Sequence, residues 1–464
     1  MKSVRFVLAA LAVYQAYPAY GQSLPTPSEY PLQPDLDNDA VLNLRRDSGN
    51  GEAFRSTIIA AMLNHPSVSE AEAFEQQAEA ILDEAQELRL PSIDASISSY
   101  SVISRAFSND PENILERSRP ARRTDGLLSA SVPLFDFGAS TSRIRAARAR
   151  IAKAGYNIEN AEADLALNAI ASWYEVFGYR AVISIMETFI DDQRKLRELV
   201  MGRINLGGDA ESEILRVDTA IAQRNTELAR YRRLLANAEA RFKEISGISP
   251  PERMMRAPEP SYSIIGVELS SSSGEDIAAV RSIEEEARAA REELKTLQRQ
   301  RLPALTARVD AGRFGVFETE RDYDIRGTLS LNFRLFGGIE PRIRQAQALA
   351  AAADARAERA RLEASRDARI AWADVGALNI QTDELEKSYI ATRQIRDVVI
   401  TRFQTTRGTL FDVATAEGSY LQSAIAYVQT VIELDIARYA LLFRTGRLLD
   451  QLDFDSYRAE KNND

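Results

Sequence analysis

Apolar residues recur every three or four positions along two long stretches of the chain. The seam of the first stretch runs through Ile144, Ile151, Ile158 and Leu165, with an alanine three residues after each of the first three. This heptad spacing is typical of a helix packed lengthwise against another, and the alanines let a neighbour approach closely. Proline is absent between Pro133 and Pro250 and again after Pro341, so both stretches can form very long helices.

A glycine-containing turn divides the first stretch. Residues 205–209 read Asn-Leu-Gly-Gly-Asp, a glycine stop followed by an acid that can cap the next helix. Apolar residues then resume the same rhythm from Ile214 to Ile245. The pattern predicts a helix, a tight turn and a second helix. About 65 residues at 1.5 Å per residue make the first helix on the order of 100 Å long.

The second half of the chain repeats the first at a constant offset of 199 residues. The segment 143–145, Arg-Ile-Arg, matches 342–344, and Trp173 and Trp372, the two tryptophans of the chain, fall on equivalent positions. Chance does not explain such a gap-free match. We infer a tandem duplication, and such repeats usually stack side by side around a shared axis.

Four shorter segments alternate between apolar and polar residues, the period-two pattern of a β-strand. From Tyr323 to Leu335 the odd positions are apolar or glycine and the even positions are polar. Similar alternation occurs at 92–98, 128–134 and 303–316. Each half of the chain therefore supplies one two-stranded hairpin.

Each predicted strand, at about 10 to 13 residues, can cross the hydrocarbon layer of a membrane with a tilt. Four strands cannot close a barrel, because the smallest membrane barrels have about eight, so closure requires several copies of the chain. The residues predicted to face the wet lumen are Asp324, Arg326, Thr328, Ser330 and Asn332. Phe135, Phe137 and Phe336, at strand ends, suit an aromatic belt at the membrane interface. The alternative is that the apolar face forms the core of a soluble sheet.

The first 21 residues have the pattern of a secretory signal peptide. Lys2 and Arg5 precede an apolar run from Phe6 to Val13, and small residues precede Gln22. An amphipathic first helix is the alternative, but no polar residue interrupts the run. No stretch of about 18 consecutive apolar residues follows, so we expect no transmembrane helix.

The remaining boundaries follow from composition. We expect a signal peptide over 1–21, an extended proline-containing segment over 22–48, a first repeat over 49–247, a Pro/Ser-rich linker over 248–272, a second repeat over 273–450 and a polar tail over 451–464. In each repeat a further helix, at 51–89 and at 274–301, precedes the hairpin.

The composition excludes several kinds of function. With 58 Lys and Arg against 68 Asp and Glu, the formal net charge is −10, which gives no electrostatic reason to expect nucleic acid. Cysteine is absent and His65 is the only histidine, so thiol chemistry, cysteine zinc sites and histidine triads not built on His65 are excluded. His65 precedes Pro66 and is predicted to mark a turn. We expect no catalysis, no cofactor and no metal.

Acidic residues collect at the two predicted helical tips. Asp209 and Glu213 lie at the first tip and Asp412 at the second, and the 199-residue offset pairs Glu213 with Asp412. If copies surround an axis, these acids could form a ring that favours cations. Equally, acids in a first helical turn offset the positive helix end, worth ~0.3–1 kcal/mol. Arg203 and Arg402 suit the negative helix ends, or could bond across a closed tip.

Arginines at 143, 145, 148 and 150 form a basic cluster just after the second strand. A phosphate or nucleic-acid site is one interpretation. A solvated helix surface just below lipid headgroups is the one we favour, because charge runs on helices are usually solvated faces.

In the order and spacing of these features the chain resembles the TolC family of outer-membrane export channels, from about Gly51 to Leu452. The duplicated unit of helix, two strands and long helical hairpin carries the resemblance, with strand starts at Pro91 and Pro303. The junction segments 134–138, Leu-Phe-Asp-Phe-Gly, and 335–338, Leu-Phe-Gly-Gly, and the run 402–413 at the second tip add to it.

The resemblance implies a mainly α fold with membrane β structure. Four strands from each chain of a homotrimer would close a 12-stranded β-barrel in the outer membrane, and the long coiled-coil helices would continue as an α-helical barrel in the periplasm. The tip would stay closed until a periplasmic adaptor and an inner-membrane ABC or proton-driven transporter engage it. Asp412 matches the family's first acidic constriction residue, but the second falls on Thr415. The segment 244–250 is similar to members serving type I protein secretion.

The sequence thus predicts a passive exit duct for type I protein secretion or multidrug efflux, gated at its periplasmic tip. The alternative is a periplasmic coiled-coil structural or adaptor protein without a pore. That protein would need the heptads but not two strand hairpins, and adaptors usually have one helical hairpin and a membrane anchor. An enzyme is disfavoured because no acid-base or nucleophile constellation appears.

Overall fold

A computed structural model of the chain describes residues 24–28, 30–49, 51–107, 114, 118–205, 211–260, 266, 272–318, 322–333, 337–405 and 408–454. The predicted signal peptide over 1–21 lies outside the described residues, as do Asp209, Phe336 and the tail from residue 455.

Helices and strands occur in the predicted order in both halves of the chain. They are α1 Ala40–Arg46, α2 Gly51–Asn64, α3 Pro66–Glu87, β1 Ser92–Ser101, β2 Arg122–Phe135, α4 Ala139–Asn205, α5 Glu211–Ser246, α6 Ala278–Arg299, β3 Ala304–Arg313, β4 Tyr323–Asn332, α7 Ile339–Gln404, α8 Leu410–Arg444 and α9 Leu448–Leu452. The long helices α4 and α7 have 67 and 66 residues. The first and last residues of α7 lie 199 residues after those of α4 to within one residue, as the duplication predicts.

Two predicted segments differ from the structure in detail. The single helix expected over 51–89 is two helices, because the ring Nδ1 of His65 accepts a hydrogen bond from the Ser67 N–H at 3.2 Å and Pro66 begins α3. The expected extended segment over 22–48 contains the short helix α1, which Asp39 caps. Both differences arise from local capping, which overrides the longer pattern.

The chain divides into two compact units, which we call the helical unit and the sheet unit. The helical unit comprises Met1–Ala61, Leu167–Ser261 and Ala373–Ala440, and the sheet unit comprises Met62–Ala166, Tyr262–Trp372 and Leu441–Asp464. In the described part of the chain, every helix is too short or too polar to span a lipid bilayer.

Aromatic side chains of α2, α4 and α8 form a cluster in the helical unit. Phe54 of α2 packs edge-on against Trp173 of α4 at a ring separation of 5.4 Å, and packs at a tilt of 43° against Tyr439 of α8 at 5.7 Å. The indole N–H of Trp173 donates to the Met255 carbonyl at 3.1 Å. Such aromatic pairs each add about 0.5–1.5 kcal/mol beyond the area they bury, so this cluster holds α2 against the long helices.

Small side chains dominate the helix contacts of the sheet unit. Ala85 of α3 packs on Ile144 and Ala147 of α4, and Ala287 of α6 packs on alanines of α7. Ile144 and Ala147 belong to the heptad seam predicted from the sequence. Each hairpin is therefore preceded by a helix that packs on the long helix following it.

Glycines in left-handed backbone end the second long helix of each repeat. Gly247 after α5 and Gly446 after α8 have φ of 73° and 69°. Arg447 N–H donates to the Leu442 carbonyl at 2.8 Å, which closes the end of α8. A side chain at either glycine would strain the backbone, which explains why the duplication retains both.

The strands form one antiparallel sheet in the order β1-β2-β3-β4. A bulge in β2 between Pro133 and Phe135 accommodates the proline, which cannot donate to the ladder. Among the residues that the structure describes, β1 and β4 are the edge strands of this sheet, each with one side unpaired.

Candidate functional site

In the half of the sheet that begins at Ser92 to Ala95, side chains sort into polar and apolar rows that cross all four strands, because directly paired residues in antiparallel strands share a face. One polar row consists of Asp94, Ser129, Asp310 and Arg326, and the neighbouring apolar row of Ile93, Ala130, Val309 and Gly327. The hydroxyl of Ser129 donates to Asp310 Oδ1 at 2.6 Å. The sheet therefore has one polar face and one apolar face.

The residues predicted to line the lumen all lie on the polar face. They are Asp324, Arg326, Thr328, Ser330 and Asn332. Arg326 and Asp324 form an exposed ion pair at 2.6 Å. On the opposite face Leu329 and Leu331 are about two-thirds exposed, so the chain by itself does not bury this surface. The lumen-facing role of the polar residues stays a prediction.

Aromatic residues border the sheet at both ends. At the end nearest the long helices, the exposed rings of Phe135 and Phe137 pack edge-to-face at 4.7 Å. At the other end Tyr100 and Tyr323 are exposed. A strand of 10 residues tilted as in membrane barrels rises about 25 Å, the height of an outer-membrane apolar band. The predicted interface role of Phe135 and Phe137 fits this geometry.

The ends of the four long helices meet in a small apolar core, which we call the tip core. Its buried members are Leu196, Val200, Val217, Phe403, Leu410 and Val413. The two helical hairpins therefore pack against each other next to the predicted gate residues, all within the helical unit.

Arg203 links the two hairpins at the tip core. Its guanidinium lies 4.5 Å from the centre of the Phe403 ring, and its Nη1 donates to the Phe403 carbonyl at 3.4 Å. The contact joins the end of α4 to the end of α7, so the predicted role of Arg203 at a helix end is compatible with the geometry. Arg402 is exposed and makes no comparable contact with the described residues.

Asp412 takes part in a capping box at the start of α8. Its carboxylate accepts from the N–H and the hydroxyl of Thr409 at 3.3 and 2.7 Å, and its own N–H donates to the Thr409 hydroxyl at 3.2 Å. The local helix-capping role of Asp412 is thus present in the geometry. A ring of acids around an axis stays a prediction.

Glu213, the repeat equivalent of Asp412, is placed differently. Its Oε1 lies 3.8 Å from a guanidinium nitrogen of Arg216, and its Oε2 is buried without a hydrogen bond to any residue that the structure describes. Asp209, expected beside it, lies outside the described residues.

One pair of charges differs between the two repeats although the residues correspond. In the first repeat Arg197 of α4 binds Asp218 of α5 through two hydrogen bonds of 2.5 and 3.2 Å. The equivalents are Arg396 and Glu417, but Arg396 donates instead to Asp397 at 2.8 Å and to the Pro25 carbonyl at 2.9 Å. The carboxylate Oε2 of Glu417 is buried and has no hydrogen bond to a described residue.

The N-terminal segment explains this difference by packing along α7. Asp39 is fully buried, accepts from Arg393 Nη1 at 2.6 Å, and accepts from the Tyr389 hydroxyl at 2.9 Å. Arg45 of α1 forms ion pairs with Asp383 and Glu386 of α7. The segment therefore binds Arg396, whose first-repeat equivalent Arg197 bonds across the hairpin, and Arg393, whose equivalent Arg194 pairs with Asp191 within α4.

Burial gives Glu417 an unusual titration. Loss of hydration raises its pKa to about 7, opposed by the charge of Arg396 and assisted by that of Asp192. Because the folded-state pKa lies above the unfolded value, the folded protein binds the proton more tightly. The contribution of Glu417 to the free energy of unfolding is fully present below the pKa that the group has in the unfolded chain. It is lost as pH rises through about 7.

We therefore expect the protein to be less stable at pH 8 than at pH 5, with Glu417→Gln removing much of the difference. Thermal unfolding of the wild-type protein and of Glu417→Gln between pH 5 and pH 8 measures this difference in stability. Asp218→Asn is the matched control: hydrogen bonding to Arg197 lowers the pKa of Asp218, so its contribution is lost only in stronger acid. An unchanged pH profile in Glu417→Gln would refute the assignment.

The buried charges of the helical unit were not identified from the sequence. Their partners lie far apart in the chain, as Asp39 and Arg393 do. The available signal was the retention of arginine at 194 and 393, and at 197 and 396, in both repeats. Among the described residues, no group of three or more His, Asp or Glu side chains could hold a metal ion.

Comparisons with known proteins agree with these features. Residues 58–247 match the model of the Outer membrane efflux protein family. No curated protein matches the chain.

Solved structures of outer-membrane channels share the fold. The outer-membrane channel OprN covers 87% of this chain and 91% of its own, with 18% identity and a TM-score of 0.74. The outer membrane protein VceC of Vibrio cholerae covers 85% and 96%, with 19% identity and a TM-score of 0.74. The CmeC outer membrane channel of Campylobacter jejuni covers 89% and 92%, with 15% identity and a TM-score of 0.76.

These matches confirm the predicted fold class, mainly α with four antiparallel strands in the chain, and the resemblance on which it rested. The matched family and structures are channels, which is consistent with the expectation of no catalysis.

Proposed function

We propose that the chain is the outer-membrane exit duct of a tripartite export system, because residues 58–247 match the model of the Outer membrane efflux protein family and the fold is shared with solved outer-membrane channels. The strands belong in the outer membrane and the helices in the periplasm. Energy would come from an inner-membrane ABC or proton-driven transporter, linked by a periplasmic adaptor.

The continuous polar and apolar rows of the sheet carry the proposal. A sheet with water on one face and lipid on the other needs this sorting in every strand. The four rows that begin at Ser92, Ile93, Asp94 and Ala95 each cross β1 to β4 without interruption, although the four strands come from two distant parts of the chain. The next two rows are mixed, with Leu127 on the polar face and Arg313 on the apolar face. A soluble sheet would instead cover its apolar face with other elements of the chain.

The unpaired edges of β1 and β4 support assembly into a homotrimer. Unpaired backbone groups are costly in lipid, so a membrane sheet must close on itself. Four strands per chain are too few, and three chains joined β4 to β1 would give the 12 strands that the family resemblance implies. The long helices would then continue each wall below the membrane.

Assembly and conduction test the proposal directly. We expect the full-length mature protein, extracted from outer membranes in mild detergent, to migrate as a trimer that heating dissociates. Reconstituted into planar bilayers, it should give discrete ion-conducting steps. A monomer that stays soluble without detergent, or a trimer without conductance under any voltage, would refute the channel and favour the periplasmic adaptor.

The acids of the tip give a sharper test of gating. We expect Asp412→Asn with Glu213→Gln to reduce cation selectivity in planar bilayers, since both changes remove charge while keeping hydrogen-bond acceptors. Thr409→Ala is the matched control, because it breaks the capping box of α8 at a cost of about 1 kcal/mol but leaves the acidic charge. Equal selectivity in all three proteins would leave Asp412 with only its capping role.

Cargo class is the finer part of the proposal. A strain lacking this protein would be complemented with the full-length gene and tested for export of a large secreted protein and for resistance to small toxic compounds. Restored protein export alone would support type I secretion, and restored resistance alone would support efflux. Restoration of neither would contradict an export function.

A further inference from the structure

Arginines follow each strand hairpin at equivalent positions; Arg143 is half-buried, and the other three are exposed. Arg143 and Arg145 lie in the first turns of α4, and Arg342 and Arg344 lie in the first turns of α7. The neighbouring arginines of the same cluster were not kept, since Arg148 and Arg150 correspond to Gln347 and Leu349. The duplication thus retains two arginines of this surface and not the other two, which points to a role shared by both repeats.

Exposed apolar side chains lie at the junctions between strands and helices, which we call the apolar border, and the arginines lie further along the helices from these junctions. Large exposed side chains at the junctions between strands and helices are Leu88, Leu90, Phe135, Phe137, Leu302 and Phe333. At 1.5 Å per residue, the four arginines are about 4 to 9 Å along their helices from the first residue. The headgroup layer on one side of a bilayer is about 5 to 8 Å deep. The arginines therefore reach the depth of lipid phosphates.

Other arginines at the same level are already bound within the chain. Arg299 donates to the Gly138 carbonyl at 2.9 Å and to the Ser142 hydroxyl at 2.6 Å, and Arg301 binds Glu340 at 2.8 Å. By contrast, the four retained arginines form no hydrogen bond or ion pair with the residues that the structure describes. They are available to a ligand outside the chain.

Arg143 also lines a cavity of about 530 Å³ between α3, α4 and α6. Leu88 and Leu297 contribute apolar wall. Glu84 contributes a carboxylate, and Arg150 and Glu293, which are ion-paired with each other, also line the cavity. Apolar wall beside a free guanidinium suits an amphiphile with a phosphate group, because the planar guanidinium matches phosphate oxygens in two-point hydrogen bonding.

We propose that Arg143, Arg145, Arg342 and Arg344 form a phosphate-binding girdle for phospholipids of the periplasmic leaflet. The proposal rests on the proposed channel function, because it places the strands in lipid. In a trimer the girdle would contain each arginine three times and would fix the height of the barrel in the membrane. Phospholipid is the occupant that both the positive charge and the adjoining apolar border fit.

The test uses the intact trimer in vesicles of phosphatidylglycerol and of phosphatidylcholine. Two double variants are compared, Arg143→Gln/Arg145→Gln and the charge-matched control Arg230→Gln/Arg233→Gln, which changes two exposed arginines of α5 that do not line the cavity. We expect the first to retain phospholipid about 10- to 30-fold more weakly by native mass spectrometry, and the control to resemble wild type. Arg342→Gln/Arg344→Gln should behave like the first.

Further arms identify the ligand and separate the two proposals. Inorganic phosphate at millimolar concentration should not displace the lipid; displacement would show a free-anion site and overturn the lipid assignment. Equal lipid retention by both double variants would show unspecific charge and also overturn it. Conductance is recorded in parallel, because a conducting trimer with unaltered lipid retention refutes the girdle alone, whereas a wild-type protein that neither trimerises nor conducts refutes the channel.

Discussion

Replacing Leu329 with arginine is expected to lower the free energy of unfolding of the assembled channel by ~2–4 kcal/mol. Leu329 lies in the second half of β4, on the apolar face opposite Ala307, and is 66% exposed in the single chain. If that face contacts lipid, an arginine there must enter hydrocarbon. Denaturant titration of the trimer folded into lipid vesicles measures the change.

Ser330→Arg is the matched control for this prediction. Ser330 is the next residue on β4 and pairs with Thr306 on the polar face, so its arginine would extend into water. We expect little loss of stability. Equal losses in the two variants would show that the two faces of the sheet do not differ in environment, which no membrane barrel allows.

The second large effect is expected from Asp435→Ala in the helical unit. Asp435 is 1% exposed and accepts from Arg256 through hydrogen bonds of 2.5 and 2.8 Å, and from Arg438 at 3.1 Å. Burial disfavours the charge on Arg256, but hydrogen bonding and attraction from Asp435 outweigh it and raise the pKa of Arg256. Removing the carboxylate leaves two buried guanidinium groups short of a partner, at a cost of about 3–5 kcal/mol.

Asp218→Ala provides the comparison for Asp435→Ala. Asp218 also binds one arginine, Arg197, through two hydrogen bonds, but both side chains are substantially exposed. Water replaces the lost partner there, so we expect a loss of 0–1 kcal/mol. Thermal unfolding of both variants measures the difference. Similar losses in the two variants would mean that burial does not determine how much the Asp435 carboxylate contributes to the free energy of unfolding.

The sequence was sufficient to predict elements whose pattern is periodic. The heptads through Ile144 and Ile158 predicted α4, and the alternation after Tyr323 predicted β4, because each pattern reflects one face repeated along one element. Boundaries set by capping were missed. His65 divides a helix that the pattern made continuous, since one ring nitrogen satisfies a backbone N–H that the helix would otherwise have bonded.

The sequence predicted some features of the candidate site and not others. The polar residues of β4 were identified on one face because alternation fixes the face of every residue in a strand. The register that aligns Asp94 with Ser129 and Asp310 was not predictable, because it depends on pairing between distant segments. At the tip, the sequence indicated charge at Asp412 but not the capping box that holds it.

By itself, the sequence determined the repeat, the long helices and the two-faced strands, since these follow from local periodicity and from identity at a fixed offset. Only the tertiary structure decided which charges are bonded. Arg197 and Arg396 occupy equivalent positions, yet one binds its hairpin partner and the other binds Asp397 and the Pro25 carbonyl. The N-terminal segment packs on α7 and supplies the Pro25 carbonyl, which changes the partner and the burial of Arg396 relative to Arg197. Charge pairing depends on all neighbours in space, and a repeat in sequence fixes only some of them.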